Sequence, residues 1–80
     1  MNEPDVTTAV RDVVASVLSL SADQVTPHAH FYDELGGDSL QKLEVIAHIE
    51  SRFDCRLSDE EAATSDTVEA LASQVAQHVS

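Results

Sequence analysis

Phe31-Tyr32-Asp33-Glu34-Leu35-Gly36-Gly37-Asp38-Ser39-Leu40 closes a glycine-containing loop and opens an amphipathic helix. From Asp38 or Ser39 onward, Leu40, Leu43, Ile46, Ala47 and Phe53 recur at helical spacing, and Ile49 widens the stripe. Gln41, Lys42, Glu44, His48, Ser51 and Arg52 fall on the wet side, Glu50 borders the stripe, and Asp54 and Cys55 end the helix. The serine at this junction is exposed, stands at the positive end of a helix dipole, and is approached through flexible backbone. A phosphate ester attached there is tolerated. Taken alone, Ser39 also reads as a plain helix cap, and Asp38 can equally be the cap.

On the N-terminal side, Val6, Val10, Val13, Val14, Val17 and Leu18 repeat at helical spacing. They predict a first helix from about residue 4 to 19, with Asn2 as cap, Pro4 in its first turn and Asp5 close behind. So many valines lower helix propensity, so packing must hold this segment. Ser21 and Gln24 can cap one short turn, and Pro27 enforces extended chain around Thr26. Residues 20–38 are therefore a long connection, pinned by Phe31 and Leu35 with help from Val25. Connections of this length inside compact domains are often functional.

On the C-terminal side, Ser58-Asp59-Glu60-Glu61 is a capping box that opens a short third helix, with Leu57 as a staple. Thr67, or Asp66 with Glu69, caps a last helix carrying Val68, Leu71, Ala72, Val75 and Val79. No segment longer than a few residues alternates as a strand does. The expectation is an all-α four-helix bundle with a short third helix and a long loop between helices one and two. Residues 1–80 form one domain.

Composition narrows the function. The chain is 42% hydrophobic and 4% aromatic with two Gly and two Pro, which suits a small helical protein better than a sandwich of strands. Its net charge is −11, from 15 acidic against 4 Lys and Arg residues. Nucleic acid and anionic membrane surfaces are excluded as partners, because both demand cationic surface. Basic patches on other proteins are the natural partners, reached by long-range steering that salt weakens. The same acidity also serves solubility.

One cysteine, Cys55, permits no intramolecular disulfide, no N-terminal stretch of the sequence has the basic start and apolar run expected of a signal peptide, and no apolar run approaches the roughly 20 residues of a membrane span. A cytoplasmic monomer is expected. Cys55 reads as a small, partly buried residue, since neither a base nor a pocket for a catalytic role is visible. His28 and His30 alternate in the loop without further ligands at metal spacing, and the acidic residues do not form a calcium loop. No catalytic constellation is present, so no enzyme is expected.

The run Leu35-Gly36-Gly37-Asp38-Ser39-Leu40 resembles the attachment site of acyl and peptidyl carrier proteins, and the resemblance extends along almost the entire chain. Leu20 to Thr26 resembles the family's segment after helix one. Leu43-Glu44-Val45-Ile46 and Ile49 to Phe53 resemble its recognition helix, and Leu57 to Ala62 with Thr67-Val68 resemble helix three and the start of helix four. The resemblance implies a type II acyl carrier protein. A phosphopantetheinyl transferase would move a 4'-phosphopantetheine arm from coenzyme A onto Ser39, with Asp38 at the transferase's metal and Gly37 and Leu40 bordering the arm. The arm would hold acyl intermediates as thioesters for acyltransferases, ketosynthases and other partners of polyketide or fatty-acid biosynthesis. Asp33, Glu34, Leu40, Glu44, Glu50, Asp59, Glu60 and Glu61 would form the partner surface. Exposed ion pairs contribute about 0 to 1 kcal/mol each, which suits a shuttle that must also let go.

Gln41 and Ser51 stand where the family is often acidic, and Lys42 and His48 add basic or titratable groups to helix two. That dilutes its acidic face and favours a specialised pathway. Glycine at position 37 is common in peptidyl carriers, so a discrete aminoacyl carrier stays open, as does an unmodified acidic interaction module with Ser39 only a cap. The family can also draw acyl chains into its core, and the resemblance implies Leu43, Ile46, Ala47, Ala62, Ala63, Val68 and Leu71 as the lining; the small alanines read equally as setting close helix packing.

Overall fold

The computed structural model describes residues 3–79, with side chains from Val6 onward. Among these residues are four α-helices, α1 (Glu3–Leu18), α2 (Ser39–Phe53), α3 (Asp59–Thr64) and α4 (Val68–Val79), one 3-10 turn at Ala22–Gln24, and no strand. The helical bundle expected from the spacing is present. The Asn2 cap lies outside the described residues.

α1 packs against both α2 and α4. Its face of Val6, Val10, Val13 and Val14 is buried, with Ala9 and Ala15 filling the closer approaches. Burying each such valine stabilises by roughly 1.5 to 3 kcal/mol, which outweighs the weak helix propensity of valine. Ser19, with φ 57°, turns the chain out of the helix, and the N–H of Leu20 donates back to the Ala15 carbonyl at 2.9 Å.

The connection to α2 is long but anchored. In the short turn, Gln24 Oε1 accepts from the Ser21 N–H at 2.9 Å. Val25, Ala29 and Phe31 are buried, and Leu35 packs against the core from a half-buried position. The Phe31 N–H donates to the Asp66 carbonyl at 2.7 Å, and the Glu69 N–H donates to the Pro27 carbonyl at 3.0 Å. The loop is thereby stitched to the start of α4.

α2 is rotated relative to the stripe expected from its sequence. Lys42, Val45, Ile46 and Ile49 are buried, whereas Leu40 is 68% and Leu43 67% exposed, and Ala47 is exposed too. Seven of the 15 residues of this helix are apolar and they are spread around it, so two overlapping faces compete for the core. The face won by packing against α1 includes a lysine because its charge is met by Asp66, whose Oδ1 lies 2.7 Å from Lys42 Nζ. The expected dilution of the α2 surface by Lys42 therefore does not occur.

Asp54, at φ 50°, ends α2 in the left-handed region, and its N–H and that of Cys55 both donate to the Glu50 carbonyl. α3 opens with the capping box read from the sequence. Ser58 Oγ accepts from the Glu61 N–H at 3.0 Å, and Glu61 Oε1 accepts from the Ser58 N–H at 2.8 Å. Leu57, just before it, is buried. Thr67 caps α4, its Oγ1 accepting from the Ala70 N–H at 3.0 Å. Val68, Leu71, Ala72 and Val75 are buried as expected, while Val79 is exposed.

Candidate functional site

Ser39 is the first residue of α2, and Asp38 is the cap. Asp38 Oδ1 accepts from the Gln41 N–H at 2.8 Å, and Gln41 Oε1 accepts from the Asp38 N–H at 3.1 Å. This reciprocal pair closes the question left open by the sequence: the carboxylate caps, and the serine hydroxyl is free of that duty. Ser39 is exposed, and its N–H and that of Leu40 belong to the first turn, which has no intrahelical acceptor for them.

The two glycines before Asp38 serve different needs. Gly36 has φ +75°, a conformation that side-chain-bearing residues rarely adopt. Gly37 is required by space: a Cβ there would lie 2.3 Å from the buried Phe31 ring. The Gly37 N–H donates to the Phe31 carbonyl at 3.0 Å, so the loop folds tightly over that ring as it reaches the serine.

From Ser39 a groove of about 760 Å³ runs between α2 and α3. Leu43, Ile46, Ala47, Ala62 and Ala63 line it, with Tyr32 from the long loop and Leu57 from the turn before α3. Five of the seven residues expected as lining are thus brought together. The other two, Val68 and Leu71, sit in the core beneath, where they border a small cleft with Phe31 and Leu35. Lys42 and Tyr32 belong to the groove without having been anticipated. Lys42 reads as a surface charge until Asp66, 24 residues away, is placed beside it.

The acidic residues divide into two groups. Asp33, Glu44, Asp59 and Glu60 are exposed, and no internal bond occupies Glu44 or Asp59 among the described residues. Glu34, also exposed, braces its own loop by accepting from the His30 N–H at 2.9 Å. Glu50 and Glu61 are half-buried. Glu50 Oε2 accepts from the Leu57 N–H at 2.8 Å and ties the end of α2 to the turn before α3. Glu61 joins α3 to α4 through His78 Nε2, 3.1 Å away. The Ser58 backbone N–H, followed by the His78 side chain, holds the Glu61 carboxyl below its usual range.

The histidines of the loop brace it as well. His30 Nδ1 faces the N–H groups of Tyr32 and Asp33 at 3.3 and 3.2 Å, so it acts as an acceptor. Its Nε2 lies 3.7 Å from Asp66, and His28 lies 3.4 Å from Glu69. Among the described residues no group of three or more His, Cys, Asp or Glu is placed to hold a metal. Cys55 is half-buried, and burial, then the nearby Glu50, Asp54 and Glu61 carboxylates, push its thiol up, away from the reactive thiolate. No described helix is long and apolar enough to cross a membrane.

An exposed hydroxyl on a first helical turn, open N–H groups beside it and an apolar groove leading away define a tethering module. Comparison with known proteins makes the class particular. The family model described as "Phosphopantetheine attachment site" matches residues 8–75. Acyl carrier proteins of Chlorobium phaeovibrioides and Chlorobium luteolum are each 36% identical over 69 residues, covering 86% of this chain and 88% of theirs. A solved structure of the acyl carrier protein from Enterococcus faecalis superposes with a TM-score of 0.81 at 28% identity, over 98% of this chain and 99% of that one. The chain belongs to the acyl carrier protein family. It is accordingly a carrier with a covalently attached phosphopantetheine group, not an enzyme.

Proposed function

We propose that Ser39 is the attachment residue and that the chain, as a single domain over residues 1–80, carries acyl intermediates of polyketide or fatty-acid biosynthesis as a cytoplasmic monomer. The observation that carries this reading is the exposed Ser39 on the first turn of α2, opening directly onto the groove. The residues fit the group. The Ser39 hydroxyl is unencumbered by capping, and the first-turn N–H groups and helix dipole favour a phosphodiester there. When bound, the arm supplies a terminal thiol that holds the acyl chain as a thioester. Ser39 would orient that arm at the groove mouth, and Leu43, Ile46, Ala62 and Ala63 would shelter the acyl chain from water.

The exposed Leu40 and Leu43, flanked by Glu44, offer partners an apolar centre within an acidic rim that Asp33, Asp59 and Glu60 extend. A phosphopantetheinyl transferase, acyltransferases and ketosynthases with basic docking patches fit this surface. Glu34, Glu50 and Glu61 contribute to the same negative field while holding internal bonds. Asp38, besides capping α2, is available to the transferase's metal during loading. The aminoacyl alternative drew on Gly37, and the Phe31 ring supplies a steric reason for that glycine instead.

The test is direct. Incubation with coenzyme A and a broad-specificity phosphopantetheinyl transferase should add one phosphopantetheine by intact mass, and Ser39→Ala should add none. Absence of any addition with active transferase would reject the carrier reading and favour an unmodified acidic interaction module.

A further inference from the structure

The chain has four Lys and Arg residues against 15 acids, and two of the four, Lys42 and Arg56, line the groove beside Ser39. Lys42 stands one helical turn from Ser39, with its side chain only 8% exposed. Its Nζ lies 2.7 Å from Asp66 Oδ1, and 5.6 and 5.4 Å from the ring centroids of Phe31 and Tyr32. An ammonium has three N–H donors, and among the described residues Asp66 provides its acceptor. A saturated chain filling the groove would strip the remaining water from Lys42 and give its donors nothing in return, which is unfavourable. Carbonyl oxygens on the chain would supply acceptors at the same place.

The charge of the groove decides what kind of oxygen. Glu50 and Asp59 also line it and offset Lys42 and Arg56, while Asp66 pairs with Lys42 and also lies near His30. With Asp66 counted, three carboxylates stand against two cations, so a carboxylate-ended chain would add negative charge to a groove that already carries an excess of it, in a protein at −11. Neutral acceptors add none. We propose that the groove selects an acyl chain bearing neutral keto oxygens over a saturated chain of the same length, and that Lys42, aided by Arg56, is the selecting residue. The proposal rests on the carrier reading above, and it assigns the cargo class within that reading.

Lys42 is the single lysine of the chain, so 15N-lysine labelling gives one side-chain signal to follow. Three amide-linked pantetheine analogues would be loaded as their coenzyme A forms: hexanoyl, 3,5-dioxohexanoyl and adipoyl. Intact mass confirms each loading before any comparison. The dioxo chain should shift the Lys42 Nζ resonance and raise the melting temperature above that of the hexanoyl form by about 4 °C or more. Lys42→Met should abolish that difference. Where that variant does not fold, Arg56→Gln, at an exposed position, should reduce it. A hexanoyl form as stable as the dioxo form, with the Nζ signal unmoved, would overturn the proposal while leaving the carrier reading intact. Greater stabilisation by adipoyl would overturn it in favour of a charge-neutralising site. Failure of all three to add mass would overturn the carrier reading and the proposal together.

Discussion

Removing the Asp38 carboxylate and removing the Ser39 hydroxyl should have opposite consequences, although the residues are adjacent. Asp38 Oδ1 receives the Gln41 N–H at 2.8 Å, and the same residue's N–H is held by Gln41 Oε1. Asp38→Ala breaks the reciprocal pair and returns a first-turn donor to water. Loss of an N-cap of this kind costs about 1 kcal/mol, with a range of roughly 0.5 to 2. In a domain of this size that corresponds to a fall in melting temperature of about 4 to 8 °C per kcal/mol. Ser39→Ala removes a hydroxyl that has no partner among the described residues and installs a better helix former, so the change should stay within about 0.5 kcal/mol. Asp38→Asn should resemble the parent protein, because asparagine caps as well as aspartate. Thermal melts followed by circular dichroism read all three, and intact mass after transferase treatment reads loading. Ser39→Ala should be the stable, unloadable variant. Asp38→Ala should be the less stable one that still possesses the hydroxyl. If Ser39→Ala melted as early as Asp38→Ala, the assignment of the cap to Asp38 would be wrong.

Gly37→Ala should destabilise by about 1 to 3 kcal/mol in urea titrations, because its Cβ would sit 2.3 Å from a Phe31 ring that is itself only 2% exposed; an unchanged midpoint would show that the ring yields freely. Ile49→Ala, at a fully buried position of α2, should cost about 2 to 5 kcal/mol, enough to leave much of the chain unfolded at 37 °C; a native circular dichroism spectrum at that temperature would contradict the packing described. The lowered carboxyl of Glu61 contributes stability that is complete above the ordinary carboxyl value of 4.5 and is lost as pH falls through the lower folded value. Glu61→Gln should therefore flatten the acid side of the stability profile, and an unchanged profile below pH 4.5 would remove Glu61 from the account.

Where local chemistry decides structure, the sequence was a sufficient guide. The Ser58 to Glu61 box, the turn at Ser21 and Gln24 and the valine face of α1 all rest on residues within one short segment, and each is present. α2 is the counterexample. Leu40, Leu43 and Ala47 form as good an apolar stripe as Val45, Ile46 and Ile49, and periodicity cannot rank two stripes on one helix. The choice is made by α1 on one side and by Asp66 on the other, and the second contact spans 24 residues. For the same reason Glu50 reads as a surface acid until the Leu57 N–H is placed on it. The serine was legible because it belongs to one loop and one helix start, whereas the groove lining was implied only by the family resemblance, since α2 and α3 form it together. The lysine in the groove wall was not legible, because its meaning depends on a partner that only the fold supplies.

α3 is six residues long and has no buried residue of its own, although Ala62 packs on the core from a half-buried position. It is held at its first turn by the Ser58 box, at its entrance by Glu50 on Leu57, and across to α4 by Glu61 on His78. A helix fastened by polar ties at its edges, rather than by a core face, opens locally at a fraction of the free energy of global unfolding. In amide hydrogen exchange, Glu61 to Thr64 should lose protection well before the central turns of α1 and α2. One wall of the groove is thus soft and the other hard. The capacity of the groove should for that reason be elastic: on the carrier reading proposed above, a longer passenger is expected to widen it by displacing α3 while α1, α2 and α4 stay in place.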